Sequence, residues 1–460
     1  MKGDFSRLTF DRSKQFSRVL MQQGRVQVDA DWNEQSDIVL HYLRALAADL
    51  IGPFGGPAKD DITPGDGFKI EMILEKGELS DLKIGKGRYY VDGILSENLG
   101  DGARFLAQPN LPLEKELPHE SFLIYLDVWE RHITHIEDGS IREVALGGPD
   151  TATRAQVIWQ VRATEKRPEG DPNRPDPPWP TSEEWEAWVK LRLGGGLLKA
   201  RAKLGTDVTD PCVASPDARF RGPENQLYRV EIHKKGTAGG GATFKWSRDN
   251  GSVTFPILNL ATDSGANTTT VTLENLGQDG RLTLSAEDWV EIVDDSVALR
   301  YDDEPLPLLQ VASVDSGRSR VTLRKTIGST VGQNRDLHPL LRRWDQGRSK
   351  GPKPGTDGDL KVVEGADQWL DLEEGVQVSF QPAPAGSPAF SYRRGDYWLI
   401  PARTATGDVE WPGPPENPQA LPPQGVEHRF APLGVLLDPT ASTRDLRDLR
   451  SQFVPLGKLV

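Results

Sequence analysis

Short apolar runs, each cut off by an Asp, Asn, Gly or Pro turn, recur along most of this chain, and that punctuation leaves little room for anything but a β-built fold. Phe68 and Ile70 alternate ahead of the turn Glu75-Lys76-Gly77-Glu78, and Tyr89-Tyr90-Val91 lies between Gly87 and Gly93. Residues 122–130 are almost wholly apolar, the pattern of a strand covered on both faces, and residues 156–161 give another strand. Residues 243–248 and 252–257 flank Asp249-Asn250-Gly251, which predicts a hairpin closed by a type I′ turn, because Asn-Gly accepts two positive φ angles. Strands predicted at 269–273, 288–293, 308–314 and 320–323 are evenly spaced, the pattern of a small closed barrel or sandwich, and an inserted barrel is placed there. Runs at 369–372, 376–380 and 397–401 complete the series. With 46 Gly and 35 Pro in 460 residues, turns are favoured over long helices.

Helical signals are confined to a few places. Residues 25–29 read as a short strand, and Asp31 followed by Glu34 reads as a capping-box start. Beyond them Ile38, Val39, Tyr42, Leu43, Leu46 and Leu50 fall at helical spacing until Gly52-Pro53. That stripe suits either the chain's own core or a bundle with other copies. Thr181 and Glu184 cap a second short helix carrying Trp185, Trp188, Val189 and Leu191, which Gly194-Gly195-Gly196 ends. Residues 444–450 read as a short charged helix or tail.

The expected fold is therefore mainly β (α+β): an N-terminal strand-helix segment, then antiparallel β domains with a small inserted β-barrel. The expected divisions are an assembly segment at 1–55, a β domain at 56–165 and a Pro-rich linker with a short helix at 166–224. A second β domain at 225–257 and 331–440 carries the barrel at 258–330, and 441–460 is a tail.

Composition removes several functions. A net charge of -13 excludes nucleic acid and anionic membrane as main partners, since both require a cationic face. Arg342, Arg343, Arg348 and Lys350 sit among Asp336 and Asp345 and read as a solvated face. Cys212 is the sole cysteine, so no intrachain disulfide and no thiolate cluster can form. No apolar run long enough for a leader or a membrane span is present, and the expectation is assembly in the cytoplasm.

Candidate chemistry is thin. His132 and His135 are three residues apart and would point to opposite faces of a strand, so they do not make a zinc pair. Asp288 and Glu291, Asp294 and Asp295, and Asp302, Asp303 and Glu304 are the carboxylates a hydrolase or a calcium loop would draw on, yet they read better as acidic turns. Residues 236–241 are Gly-rich but lack the Lys-Ser/Thr of a phosphate loop. Arg394-Gly395-Asp396 spells an adhesion tripeptide and reads as a turn entering a strand. No catalytic residue, cofactor or metal site is expected.

Several phrases belong together. Lys2-Gly3-Asp4-Phe5-Ser6-Arg7 leads to Gly24-Arg25-Val26-Gln27-Val28-Asp29-Ala30-Asp31-Trp32-Asn33-Glu34-Gln35, then to Leu126-Asp127-Val128-Trp129-Glu130-Arg131-His132, to Gly147-Gly148-Pro149-Asp150-Thr151-Ala152-Thr153-Arg154, and to Phe244-Lys245-Trp246-Ser247-Arg248-Asp249-Asn250-Gly251-Ser252. Together they resemble a bacterial family encoded in gene clusters for phage-tail-like contractile injection systems. The resemblance implies a structural part of a particle that has sheath, tube, spike and baseplate. The expectation is a homo-oligomer, trimeric or hexameric, that docks on other particle proteins, with the helix-face residues Tyr42, Leu43, Leu46 and Leu50 and the anchor Trp32 as its contacts. A glycan- or receptor-binding module, using an open Trp such as Trp411, and a cell-wall or polysaccharide hydrolase are the alternatives.

Overall fold

The computed structural model describes residues 1–59, 65–110, 116–148, 150–164, 180–205, 219–277, 280–301, 304–347, 351–440 and 444–454. Strands hold 38% of the described residues and helices 13%, so the fold is mainly β, with an N-terminal helix followed by strands and a closed six-stranded barrel. The chain divides into two units. One comprises Met1–Leu8, His132–Arg154 and Gly194–Val426; the other comprises Thr9–Arg131, Ala155–Leu193 and Glu427–Val460.

In the first unit a five-stranded sheet, in the order Leu360–Lys361, Thr243–Ser247, Gln226–Lys234, Tyr397–Arg403 and Asp408–Val409, faces a three-stranded sheet of Leu370–Asp371, Val376–Gln381 and Leu197–Ala202. Trp246, Trp398, Phe244, Phe380 and Tyr228 fill the space between them. Barrel strands Thr254–Asp263, Thr268–Leu273, Arg320–Arg324, Leu309–Asp315, Trp289–Val293 and Leu340–Trp344 close in that order around Phe255, Val271, Val311, Val321, Leu323 and Leu341. Strict alternation does this: in Thr268–Leu273 every second residue is buried, and in Arg320–Arg324 Val321 and Leu323 point inward.

The Asn-Gly turn forms but the predicted hairpin does not. Asn250 and Gly251 take φ of 52° and 66°, as the turn requires. The flanking strands then part: Thr243–Ser247 pairs with Gln226–Lys234 and Leu360–Lys361, whereas Thr254–Asp263 pairs with Thr268–Leu273 and Leu340–Trp344. The outgoing segment pairs instead with the chain returning from the barrel. Asp345 N–H donates to the Trp246 carbonyl, Arg343 N–H to that of Val253, and Arg248 N–H to the Asp345 carboxylate. The turn is thus the gate from sheet to barrel. Arg343, expected on a solvated face, is buried there and ion-paired with Asp249 and Asp345, while Arg348 and Lys350 lie outside the described residues.

Lys245 joins the two cores of this unit. Its ammonium lies 3.5 Å from Glu231 on the neighbouring sheet strand and 2.7 Å from Glu291 on a barrel strand, and Trp344 Nε1–H donates to the other Glu291 oxygen at 2.9 Å. Burial alone would raise the Glu291 carboxyl, but Lys245, Lys2 and His233 together outweigh it and hold the group at about 2.

The second unit is built on a sheet of Asp445–Asp448, Arg429–Leu437, Phe122–Ile133 and Arg154–Thr164 and another of Gln452–Phe453, Phe54–Pro57, Gly87–Val91 and Ile94–Asn98. Phe68, Tyr89, Phe122, Leu126 and Trp159 lie in its main core. Residues 122–129 are buried in succession, as the apolar run predicts. Three expectations change here. Residues 444–450 contain a strand, Asp445–Asp448, paired with Arg429–Leu437, where a helix or tail was expected. Residues 427–440 and the C-terminal strands pack in this unit, not with 331–426. Leu197–Ala202, placed in a linker by composition, is a strand of the first unit's three-stranded sheet. The Pro-rich run 165–179 lies outside the described residues.

Two helices belong to this unit. α1 (Asp29–Ile51) begins two residues before the expected capping box, with Val28 at its N-cap and no side-chain cap, and residues 25–28 are not a strand. α2 (Ser182–Arg192) has the full capping box: Thr181 Oγ1 accepts from Glu184 N–H at 3.2 Å, and the Glu184 carboxylate accepts from Thr181 N–H at 2.8 Å. Trp185 and Trp188 stack with 4.9 Å between ring centroids and pack with Tyr125 and Phe430.

Lys245→Met leaves two buried carboxylates without their common cation and should lower the unfolding free energy by about 3–5 kcal/mol, whereas Arg403→Ala, which removes a surface pair with Glu410, should cost less than about 1 kcal/mol. Urea titration of both variants, followed by tryptophan fluorescence, checks the contrast; equal losses would remove Lys245 as the joint.

Candidate functional site

α1 is held by one side only. Ile38 is fully buried, and Arg44 reaches Glu130 at 2.8 Å. Gly93, with φ of 77°, lies so close to the helix that a Cβ there would meet the Arg44 carbonyl at 2.2 Å, which leaves glycine as the only residue that fits. The opposite side is open. Trp32 is 77% exposed, Leu50 62%, Leu43 and Leu46 57% each and Tyr42 52%. Of the stripe read from the sequence, Ile38 alone enters the core.

Sequence reasoning missed part of this surface. Leu40 is also exposed, and so are Phe16, Leu20, Met21, Val26 and Val28 on the arm before α1, whose one regular turn is the 3-10 helix Arg12–Lys14. The arm follows the helix: Thr9 Oγ1–H donates to Glu34 at 2.6 Å, Phe10 meets the His41 ring at 5.6 Å, and Val19 N–H donates to the Gln35 side chain at 2.9 Å. The sequence marks only the end of the arm, where Val26 and Val28 alternate as in a strand that does not form.

The carboxylates Asp288, Glu291, Asp294 and Asp295 have structural partners. Asp288 accepts from Ser285 N–H, Glu291 from Lys245 and Trp344, Asp294 from the N-terminal amides of the short helix Asp295–Leu299 and from Gly332 N–H, and Asp295 meets His338 at 2.8 Å. Asp302 and Asp303 lie outside the described residues, as does Cys212. His132, on strand Phe122–Ile133, meets Thr153, and His135, in the turn beyond that strand, meets Asp150, both at 2.8 Å. Asp396 of the Arg-Gly-Asp triplet is buried against Arg393, at the turn into Tyr397–Arg403. Trp411 is half-buried: its Nε1–H donates to the Gln419 carbonyl and its ring packs on the sheet core. Among the described residues, no group of three or more His, Cys, Asp or Glu is placed to hold a metal ion.

Residues Met1–Leu8 supply a feature that the sequence did not signal. Lys2 Nζ meets Glu231 at 3.0 Å, Asn250 Nδ2 donates to the carbonyls of Met1 and Gly3, Arg229 donates to that of Met1, and Phe5 packs with Leu227, Tyr397 and Leu399. Burial raises the Glu231 carboxyl, but Lys2, Arg229 and Lys245 together hold it well below the carboxylate range. The segment completes a buried charge network.

The second unit has a cleft of about 530 Å³ between α2 and strand Arg429–Leu437, lined among others by Phe54, Trp185, Val189, His428, Arg429 and Phe430. At its floor His428 Nδ1 lies 2.8 Å from Asp127, and the imidazole stacks on Trp129. Asp127 is also 3.5 Å from Arg162, so the pair ties strands Phe122–Ile133, Arg154–Thr164 and Arg429–Leu437.

Titration in the first unit pulls two ways. Burial lowers His132 and His233 to about 3, so unfolding takes up protons below pH 6.5 and stability falls on acidification. Burial raises Asp396 and Glu373 to about 7, so their contribution is complete below pH 4 and is lost as pH rises toward 7. The Asp396→Asn/Glu373→Gln variant removes the second effect. Its unfolding free energy should therefore drop more steeply than that of the unmodified chain between pH 7 and pH 5; equal slopes would show that the two carboxyls titrate normally.

A family model described as a family of unknown function (DUF6519) matches residues 1–170 and 185–444. No curated protein and no solved structure gives a match. The matched stretches take in the arm, α1, the barrel and nearly all of both units, and the chain belongs to this family of unknown function, DUF6519.

Proposed function

We propose that this protein is a structural component of a phage-tail-like contractile injection particle, a baseplate, cage or fibre element that works by self-association and by docking on other particle proteins. The particle follows from the resemblance of the sequence phrases; the mode of action follows from α1. One observation carries it: a well-formed helix of 23 residues is fixed to its unit by Ile38 and Arg44 while Trp32, Tyr42, Leu43, Leu46 and Leu50 stand in solvent. Monomeric proteins rarely leave so contiguous an apolar patch uncovered, and buried aromatic and aliphatic anchors are where interface energy concentrates. The open face supports binding over catalysis, and Asp288, Glu291 and Asp294 are engaged in caps and ion pairs.

Leu43→Asp with Leu46→Asp should leave the circular dichroism spectrum unchanged and convert the assembled protein to a monomer in size-exclusion chromatography with light scattering. Global unfolding would show that the face is part of the chain's own core. A monomer before substitution would end the self-association reading. Purification of the tagged protein from its host, with the eluate viewed by negative-stain electron microscopy, tests the particle: sheathed tubes labelled at one end are expected, and a lone protein overturns it.

A further inference from the structure

The open face of α1 has a period and a width, and together they specify its occupant. Trp32, Val39, Leu43, Leu46 and Leu50 follow spacings of seven, four, three and four residues, the alternation of the two core positions of a heptad, and Ser36 occupies the remaining core position. At about 100° per residue these six project within a narrow wedge, flanked by Leu40 and Ala47 on one side and on the other by Tyr42 and by Gln35, whose side chain accepts from Val19 N–H of the arm, for a total arc of roughly 160°. Ile38, buried, lies beyond Tyr42, and Arg44, tied to Glu130, lies beyond Ala47. A heptad seam is the surface that another helix bearing the same repeat covers by knobs-into-holes packing. From Trp32 to Leu50 neither the seam nor the flanking residues Leu40, Tyr42 and Ala47 carry a charge, so two copies of a chain with net charge -13 can meet here without burying an ion.

We propose that α1 packs against α1 of further copies, parallel and in register, in a closed ring of at least three. The inference rests on the self-association reading and adds the geometry. A two-helix contact covers the seam alone, whereas the apolar flanks Leu40 and Tyr42 require a neighbour on each side. Parallel packing in register sets Tyr42 of one helix beside Ala47 of the next, a large residue over a small one, and brings Ser36 to Ser36 in a single polar layer. An antiparallel pair would set Ser36 against Leu46. In a ring each helix presents one flank to each neighbour, a head-to-tail contact that rotation closes.

The test uses the full chain with Tyr42→Lys, Ala47→Glu and the double variant, measured by sedimentation velocity and native mass spectrometry, with circular dichroism on each. The unmodified protein should sediment as a species of three or more copies. Each single variant should weaken association roughly tenfold or more, and the double variant should restore it through a Lys–Glu pair between neighbouring helices. A discrete dimer overturns the ring while leaving self-association intact. A double variant weaker than either single one, or single variants without effect, overturns the parallel register. A monomeric unmodified protein overturns the self-association reading itself, and this inference with it.

Discussion

A single buried ammonium fixes the first unit. Lys245 stands between Glu231 of a sheet strand and Glu291 of a barrel strand, and both carboxylates are out of water. Each group alone would be costly to bury, and their Coulombic and hydrogen-bond complementarity makes the arrangement tolerable only at one relative position of sheet and barrel. The backbone agrees: the chain leaves the sheet at Trp246 and returns at Asp345, and the two segments hydrogen-bond to one another. Apolar packing is non-directional and would accept small slips. Charges with fixed partners do not.

The residues Met1–Leu8 extend that network. Lys2 adds a third cation near Glu231, and Asn250, held at the positive-φ turn, takes up the carbonyls of Met1 and Gly3. A local turn signal thereby acquires a long-range role: it seats a segment nearly 250 residues away in sequence.

The second unit shows the opposite economy. Its strands are buried in succession, its tryptophans stack and its ion pairs close, yet α1 leaves a continuous apolar stripe in solvent. A helix of this length gains most of its stability from packing an amphipathic face, and here Ile38 and Ala30 are its only fully buried residues. The uncovered side is the one that the proposed self-association would use, and Phe16, Leu20 and Met21 are also exposed on the arm before the helix.

Much of this was legible in the residues. Alternation at Thr268–Leu273 and Arg320–Arg324 names barrel strands, the apolar run before Glu130 names a doubly covered strand, Thr181 and Glu184 name a helix start, and the spacing of Leu43, Leu46 and Leu50 names a helix face. These are local matters, set by backbone period and by side chains within a turn of one another. The tertiary structure decided the rest. Asn250-Gly251 bends the chain as its φ preferences dictate, but which strands pair afterwards depends on partners about a hundred residues away, so the expected hairpin became a crossing into the barrel. Arg343 is as charged as any surface arginine, and only the convergence of Asp249 and Asp345 makes it a buried one. Residues 445–448 look like a charged tail until Arg429–Leu437 offers them an edge to pair with. The sequence by itself determined that α1 has an apolar stripe; that Ile38 turns inward while Trp32, Leu43, Leu46 and Leu50 remain uncovered was decided by the fold, because exposure is a property of what lies opposite a residue and not of the residue.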